Sequence, residues 1–406
     1  MPLRLRGEPS HPGLLDLPWG TPLEEWPARH LVGLPRGISR HVVRFVRVEG
    51  TVFAVKETGQ WAADREYQVL RSLQRAHVPA VHPVGVVEGR SSSAGVPLDP
   101  ALVTSHLEFS LPYRALMSQR LRPETAVRLL DALAVLLVRL HLAGFYWGDC
   151  SLSNTLFRRD AGAFSAYLVD AETTEWHDRL SEGQRSYDVS MARTNLIGEL
   201  MDLEAGELLD PALEPIATGD TLHARYGELW TAVTGPQTVR VGERNQVDAR
   251  IRALNDLGFD VAEVDVVRAD DDVHVHVTPK VVDAGHHARR LLRLTGLDVE
   301  ENQARRLLND LDSYRAATGQ KEESEELVAH EWLSEVFGPV VRSVPRELRG
   351  KLETAEVFHE VLEHRWFLSE QAGCEVGLLA SAQDYVATVL RHKPDERAVV
   401  AALVIP

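Results

Sequence analysis

The first half of the chain alternates between short strand-like runs and longer helical ones. Glu49-Gly50 separates two runs rich in β-branched and aromatic residues, which is the pattern of a β-hairpin. The longest helical stretch has proline in its first turn, and Gly144 ends it. The pattern predicts strands at 42–48, 51–56, 84–87 and 101–107 and helices at 61–75, 123–143 and 186–207.

The second half begins with a short helix–strand–strand–helix pattern and ends in helices. A polar, acidic stretch at 318–326 separates these two parts and predicts a linker. We place the first domain boundary near 210–245. The predicted organisation is an irregular lead-in at 1–29, a mixed domain at 30–215, a small α+β module at 240–318 and a helical unit at 327–400.

Composition narrows the class of protein. The chain has 406 residues, of which 44% are apolar and 26% charged, as in soluble globular proteins. A net charge of −16 gives no global basic field for coating nucleic acid, although a local basic patch stays open. Only two cysteines, Cys150 and Cys374, exclude a disulfide scaffold. With no signal-peptide core and no apolar run of about 20 residues, we expect a cytoplasmic protein without a membrane span.

The first candidate functional residue is Lys56, one of only five lysines in the chain. It ends an apolar strand, and Glu66 follows ten residues later within the apolar face of the next helix. A carboxylate in such surroundings needs a partner, because an unpaired buried charge is costly. One interpretation is an ion pair that holds Lys56 against nucleotide phosphates. The alternative is a surface lysine and an unrelated carboxylate.

The strongest chemical signal is a short loop that carries Asp149 and Asn154 after the long helix. An aspartate and an asparagine at this separation can place a base beside a hydroxyl and an amide oxygen on a metal ion. Asp170 ends an apolar strand sixteen residues after Asn154 and adds a hard oxygen ligand suited to Mg²⁺. The alternative is an ordinary Asp/Asn turn capped by Ser151.

The order of these pieces, with strands and a helix between them, resembles the protein-kinase-like superfamily over residues 30–205. The string Gly-Asp149-x-Ser-x-x-Asn154 is similar to the catalytic loop of the atypical RIO-type and lipopolysaccharide (Kdo/heptose) kinases. Leu-Val-Asp170 is similar to their metal-binding strand. The whole chain resembles an uncharacterised bacterial family that joins such a domain to a C-terminal domain of unknown function.

The resemblance implies a two-lobed kinase-like fold, with an N-lobe at 30–108 and a C-lobe at 109–215, followed by the α+β module and the helical unit. It implies Mg·ATP-dependent transfer of phosphate to a hydroxyl of an unknown substrate. Asp149 would accept the proton, and Asn154 and Asp170 would bind Mg²⁺. By the same resemblance, the residues around the nucleotide would be Gly37 and Ser39 over the phosphates, Lys56 held by Glu66, and Val103 and Ser105 in the hinge segment at 102–108 beside adenine.

Departures from the kinase pattern keep other functions open. Trp147-Gly148 replaces the usual His-Arg pair, and Asp-Ala-Glu172 replaces Asp-Phe-Gly. An Ala-Pro-Glu segment is absent from the sequence after it, which disfavours a peptide substrate. The alternative is a nucleotide-binding pseudokinase that regulates or scaffolds a protein partner through its C-terminal half. A third hypothesis, nucleic-acid binding, rests on the arginines at 289–306 and is not favoured, because solvated helix faces explain them.

Overall fold

The computed structural model describes residues 2–7, 11–34, 41–117, 123–235, 237–240, 244–256, 259–268 and 274–397. The chain forms two compact units. Among the described residues, the first unit takes in those up to 157 and those from 166 to 226, and the second takes in 158–165 and those from 227 to 397. One division between the two units lies between Tyr226 and Gly227, inside a helix.

The N-terminal part of the first unit is an antiparallel five-stranded sheet with one helix. The strand order is β1-β4-β5-β3-β2, so that β5 lies in the centre. The helix α1 packs against β4 and buries Glu66 together with four apolar or aromatic residues. The elements are β1 (Arg4–Gly7), β2 (Val42–Val48), β3 (Thr51–Glu57), α1 (Gln60–Arg75), β4 (Pro83–Glu88) and β5 (Ala101–Ser105).

The lead-in, expected to be irregular, is part of this sheet's core. It supplies β1, which pairs with β4, and three short 3-10 helices between residues 12 and 30. Trp19 and Trp26 are buried, with their rings edge to face at 5.1 Å, and lie in the same apolar cluster as Val46 and Phe53. Burial of two tryptophans makes the lead-in a structural part of the unit.

Arg90 holds the lead-in through hydrogen bonds to its backbone. Its side chain is fully buried and pairs with Glu57 at 2.5 Å. Its remaining donors reach the backbone oxygens of Trp19 (3.2 Å), Thr21 (2.8 Å) and Asp99 (2.6 Å). A buried guanidinium is tolerated only when its donors are satisfied in this way.

The rest of the first unit is built around the long apolar helix α3. A three-stranded sheet, β6-β8-β9, and a two-stranded one, β10-β7, accompany the helices. Leu133, Leu137 and Leu140 of α3 are each at most 1% exposed. The elements are β6 (Leu111–Pro112), α2 (Tyr113–Met117), α3 (Pro123–Leu142), β7 (Phe145–Tyr146), β8 (Thr155–Asp160), β9 (Ala163–Leu168), β10 (Glu175–Trp176), α4 (Glu182–Ala205) and α5 (Pro215–Thr234).

The second unit joins a three-stranded antiparallel sheet, in the order β11-β13-β12, to a set of helices. Its apolar core surrounds Trp332, which stacks with Phe337 and meets Phe358 edge to face. A π-helical turn at Leu333–Phe337 links two of the helices. The elements are β11 (Gln237–Arg240), α6 (Arg244–Asp256), β12 (Phe259–Arg268), β13 (His274–Ala284), α7 (His286–Thr295), α8 (Glu301–Ala317), α9 (Glu325–Trp332), α10 (Gly338–Ser343), α11 (Thr354–Ala372) and α12 (Leu378–Thr388).

These units confirm the predicted α+β class and the helical character of the C-terminal region. The segments at 240–318 and 327–400, which the sequence separates, both contribute to the second unit. Within the part of the chain that the structure describes, none of the helices has the length and apolarity needed to cross a membrane.

The buried network of Arg90 predicts that Arg90→Ala destabilises the first unit. Truncation leaves Glu57 partly buried without its cation and removes one donor from each of three carbonyls, which should lower the free energy of unfolding by about 3 kcal/mol. Chemical denaturation monitored by tryptophan fluorescence measures this change. The matched control is Arg47→Ala in the same sheet, where the side chain is exposed and the expected change is about 0.5 kcal/mol or less. Equal stabilities of the two variants would contradict the assignment.

Candidate active site

Three of the residues predicted from sequence converge on one ion-pair cluster. The Lys56 ammonium donates to Glu66 Oε2 and to Asp170 Oδ2, each at 3.0 Å. β3 supplies Lys56, α1 supplies Glu66, and Asp170 follows the end of β9. The side chains are 11%, 2% and 29% exposed, respectively. This confirms the ion pair between Lys56 and Glu66 and excludes the alternative of an unrelated surface lysine.

Burial and charge act in opposite senses on this cluster. Burial disfavours the ammonium form of Lys56, but the carboxylates of Glu66 and Asp170 outweigh it and raise the pKa of Lys56. Burial raises the pKa of Glu66 to about 7, against the attraction of Lys56. The backbone N–H of Ala171 also donates to Glu66. The lysine therefore stays cationic and is held in place by two carboxylates.

Glu172 and His41 extend the cluster. Glu172 Oε2 lies 3.5 Å from Lys56 Nζ and 3.0 Å from His41 Nε2. The Glu172 backbone N–H donates to Asp170 Oδ1 at 3.0 Å, so the segment after β9 turns its second carboxylate back towards the lysine. Its contacts with Lys56 and His41 make Glu172 part of the cluster. His41 was not singled out, because a histidine before a strand carries no distinctive sequence signal.

Asp149 and Asn154 occupy opposite ends of the predicted loop and contact each other. The Asn154 side-chain amide donates to the Asp149 backbone oxygen at 3.1 Å and to its Oδ2 at 3.3 Å. Asp149 Oδ1 accepts from the Asn195 side chain at 3.2 Å. The Val169 N–H donates to the Asn154 backbone oxygen at 3.0 Å, which links the loop to the segment carrying Asp170. The loop is therefore a fixed structure with one carboxylate oriented by two amides.

Two carboxylates of α4 hold the backbone of this loop. Asp188 accepts from the N–H groups of Trp147 (2.7 Å) and Gly148 (2.9 Å). Glu199 accepts from those of Leu152 (2.6 Å) and Ser153 (2.9 Å). Asp188 is fully buried, and its Oδ2 also lies 3.0 Å from His141 Nε2. Asp188, Asn195 and Glu199 are spaced by seven and four residues, so they share one helix face.

Sequence reasoning missed these three residues of α4. A signal was available, because a polar stripe at helical spacing runs beside the apolar residues Ala192 and Leu196. Acidic stripes on helices are common on solvated surfaces, however. Only the fold shows that this stripe is turned inward.

The oxygen atoms of Asn154 and Asp170 suit a magnesium ion. Because the Asn154 nitrogen donates to Asp149, its amide oxygen is directed away from that residue. Amide and carboxylate oxygens are the hard ligands that Mg²⁺ takes, and it keeps several waters beside one or two protein ligands. Among the residues that the structure describes, three or more His, Cys, Asp or Glu side chains do not gather into a metal cluster. The donor set thus fits a shared Mg²⁺–nucleotide site and not an all-protein cage.

The other predicted site residues have separate outcomes. Gly37 and Ser39 lie outside the described residues. Val103 is fully buried in the apolar core of the sheet, and its strand is paired on both sides. Ser105 ends β5, and its N–H donates to the backbone of residue 82. Cys150, which follows Asp149, is fully buried, and burial raises the pKa of its thiol.

Family models match two parts of this chain. Residues 50–193 match the Lipopolysaccharide kinase (Kdo/WaaP) family, and residues 228–390 match a domain of unknown function, DUF4032. These two matches confirm the predicted combination of a kinase-like domain with a C-terminal domain of unknown function. The first match supports a phosphotransferase. The first match contains seven of the nine predicted site residues, namely Lys56, Glu66, Val103, Ser105, Asp149, Asn154 and Asp170.

Two solved structures are similar to this chain. WaaP in complex with acyl carrier protein is 20% identical, with a TM-score of 0.38, over 63% of this chain and 99% of that one. An aminoglycoside-3′-phosphotransferase of type VIII is 16% identical, with a TM-score of 0.35, over 54% and 91%. No curated protein is significantly similar in sequence.

The raised pKa of Glu66 predicts a specific pH dependence of stability. A carboxyl whose pKa is higher in the folded chain stabilises the fold fully below its unfolded pKa of 4.5 and loses that contribution as the pH rises through about 7. The free energy of unfolding of the wild type, minus that of Glu66→Gln, should therefore fall between pH 4.5 and 7. Urea denaturation across this range measures it, with exposed Glu204→Gln as the control. A difference that rises with pH would refute the assignment.

Proposed function

We propose that the protein is a Mg·ATP-dependent phosphotransferase that acts on a hydroxyl group. The observation that carries this proposal is the ion-pair cluster in which Lys56 contacts Glu66 and Asp170 at 3.0 Å each. It brings together a phosphate-binding cation, its anchor and a metal ligand from three distant parts of the chain. A backbone hydrogen bond joins the Asp170 segment to Asn154, and with it to the loop of Asp149.

Lys56 would contact the nucleotide phosphates. Its charge is secured by the two carboxylates, and Glu66 prevents the flexible side chain from leaving the site. Holding the lysine in advance lowers the entropy lost when the phosphates bind. In phosphoryl transfer most of the catalytic effect comes from such positioning and from neutralising charge on the phosphoryl oxygens.

Asn154 and Asp170 would hold the magnesium ion through their side-chain oxygens. The bound ion would neutralise charge on the phosphates. Lys56 contacts one oxygen of Asp170 and the Glu172 N–H contacts the other, which fixes the orientation of the carboxylate before any metal binds. Groups that orient a ligand in this way contribute to metal affinity.

Asp149 would accept the proton of the substrate hydroxyl. Amides from Asn154 and Asn195 orient its carboxylate, and Asp188 and Glu199 hold the backbone on either side of it. A general base must lie within hydrogen-bond reach of its proton, so the rigidity of this loop serves the chemistry directly. We place the reaction in the cytoplasm, where ATP is available and the cysteines stay reduced.

Asp149→Asn should abolish transfer and leave nucleotide binding intact. The amide keeps the shape of the side chain but cannot accept the proton, so phosphate release from radiolabelled ATP, with water as acceptor, should fall by about 100-fold or more. Affinity for Mg·ATP should change by about twofold at most, because Asp149 is not among the phosphate or metal contacts. The matched control is Asp178→Asn, at an exposed aspartate of the same unit.

The same assay separates the two functions that the sequence left open. Wild-type protein that binds Mg·ATP without releasing phosphate, with or without added hydroxyl acceptors, would indicate the pseudokinase. Hydrolysis that survives in Asp149→Asn at the wild-type rate would show that this residue is not the base.

A further inference from the structure

The two predicted metal ligands are the ends of one β-hairpin. Asn154 immediately precedes β8, and Asp170 follows β9 by two residues. The Val169 N–H donates to the Asn154 oxygen at 3.0 Å and closes the base of the hairpin. Its outer part, residues 158–165, belongs to the second unit. The segment that sets the separation of the ligands is therefore folded into a different unit from the ligands themselves.

The turn of this hairpin has a demanding backbone. Ala161 and Gly162 both have positive φ, at 48° and 82°. A two-residue turn of this kind fits the twist of a hairpin, but alanine adopts it at a cost that surrounding contacts must offset. The Ala161 N–H donates to Glu356 Oε2 of α11 at 2.9 Å. The second unit thus supplies a contact that holds the strained residue.

The residue before the turn, Asp160, is a buried carboxylate. It is 2% exposed and accepts from the Gln303 N–H at 2.7 Å and from the Asn302 side chain at 2.9 Å, both at the start of α8. Gln303 is 1% exposed, and its side-chain amide donates to the Arg159 oxygen and to Glu356, each at 3.0 Å. The first turn of α8 therefore clamps the hairpin through both side chains and backbone.

Ion pairs reinforce this clamp on the same strand. Arg158 pairs with Glu300 at 2.9 Å and with Glu353 at 2.6 Å, at the starts of α8 and α11. Arg159 pairs with Glu396 at 2.7 Å, and that carboxylate is 4% exposed. Charges buried to this degree are costly to separate, so movement of the strand relative to the two helices is opposed.

We infer that Asn302 and Gln303 are positioning residues for the phosphotransferase. They fix the turn of the β8–β9 hairpin, and the hairpin fixes the separation between Asn154 and Asp170. The inference rests on the proposed function and assigns the C-terminal unit a role in it, namely to set the geometry of the magnesium ligands. The burial that raises the pKa of Asp160 to about 7 is a further sign of how tightly the tip is enclosed.

The test compares Asn302→Ala and Gln303→Ala in the full chain with Asn309→Ala. Asn309 is exposed on the same helix, which makes it the matched control. Calorimetry of ATP binding with and without Mg²⁺ should show the gain from Mg²⁺ weakened about tenfold in the first two variants, as for changes behind metal ligands. Binding of ATP without Mg²⁺, which depends on Lys56, should be unchanged. A merely structural defect would weaken both.

Hydrogen exchange of residues 150–157 and 166–172 keeps this inference separate from the proposed function. Faster exchange of the Val169 amide in Asn302→Ala and Gln303→Ala, but not in Asn309→Ala, would support the clamp even if the wild type bound no nucleotide. The inference would be overturned if the Val169 amide exchanged at the wild-type rate in both variants. It would also be overturned if Mg²⁺ tightened ATP binding to both variants as much as to the wild type. If Gln303→Ala does not fold, Asn302→Ala decides, because it removes one hydrogen bond of a partly exposed side chain.

Discussion

The site depends on a buried lysine that two carboxylates keep charged. Lys56 lies in β3 and Glu66 in α1, and Asp170 lies two residues after β9. Lys56 contacts both carboxylates. None of these charges could be buried alone without a large cost in solvation, so the three segments must assemble together. A lysine held in this way is prepared for an anionic ligand, because binding requires no further ordering of its side chain.

The loop that carries Asp149 and Asn154 depends on a different principle, in which side chains of a neighbouring helix hold its backbone. Asp188 and Glu199 each bind two consecutive backbone N–H groups, so the loop's conformation is set by α4 and not by local turn chemistry. Asn195, on the same helix face, then orients the carboxylate of Asp149. The helix α4 thus sets both the path of the loop and the orientation of the Asp149 carboxylate. Precise positioning requires rigid support of this kind.

The sequence predicted the residues whose signal is local. Lys56 and Asp149 stand out because a rare lysine ends an apolar strand and a short polar loop separates two apolar elements. Asp188 and Glu199 could not be identified in the same way, since their partners lie some 40 residues earlier in the chain and the loop's need for them is visible only in three dimensions. Arg90 was missed for a similar reason: three of its four partners are backbone oxygens, which leave no trace in a residue pattern, and the fourth, Glu57, lies 33 residues earlier.

We propose that Lys56, Asn154 and Asp170 form one Mg·ATP site. Calorimetric titration of ATP into the wild type and Asp170→Asn, each with and without Mg²⁺, tests it most directly. Mg²⁺ should tighten binding to the wild type, and this gain should be lost in the variant, while metal-free binding persists in both. Nucleotide binding that ignores Mg²⁺, or an undiminished response to Mg²⁺ in Asp170→Asn, would contradict it.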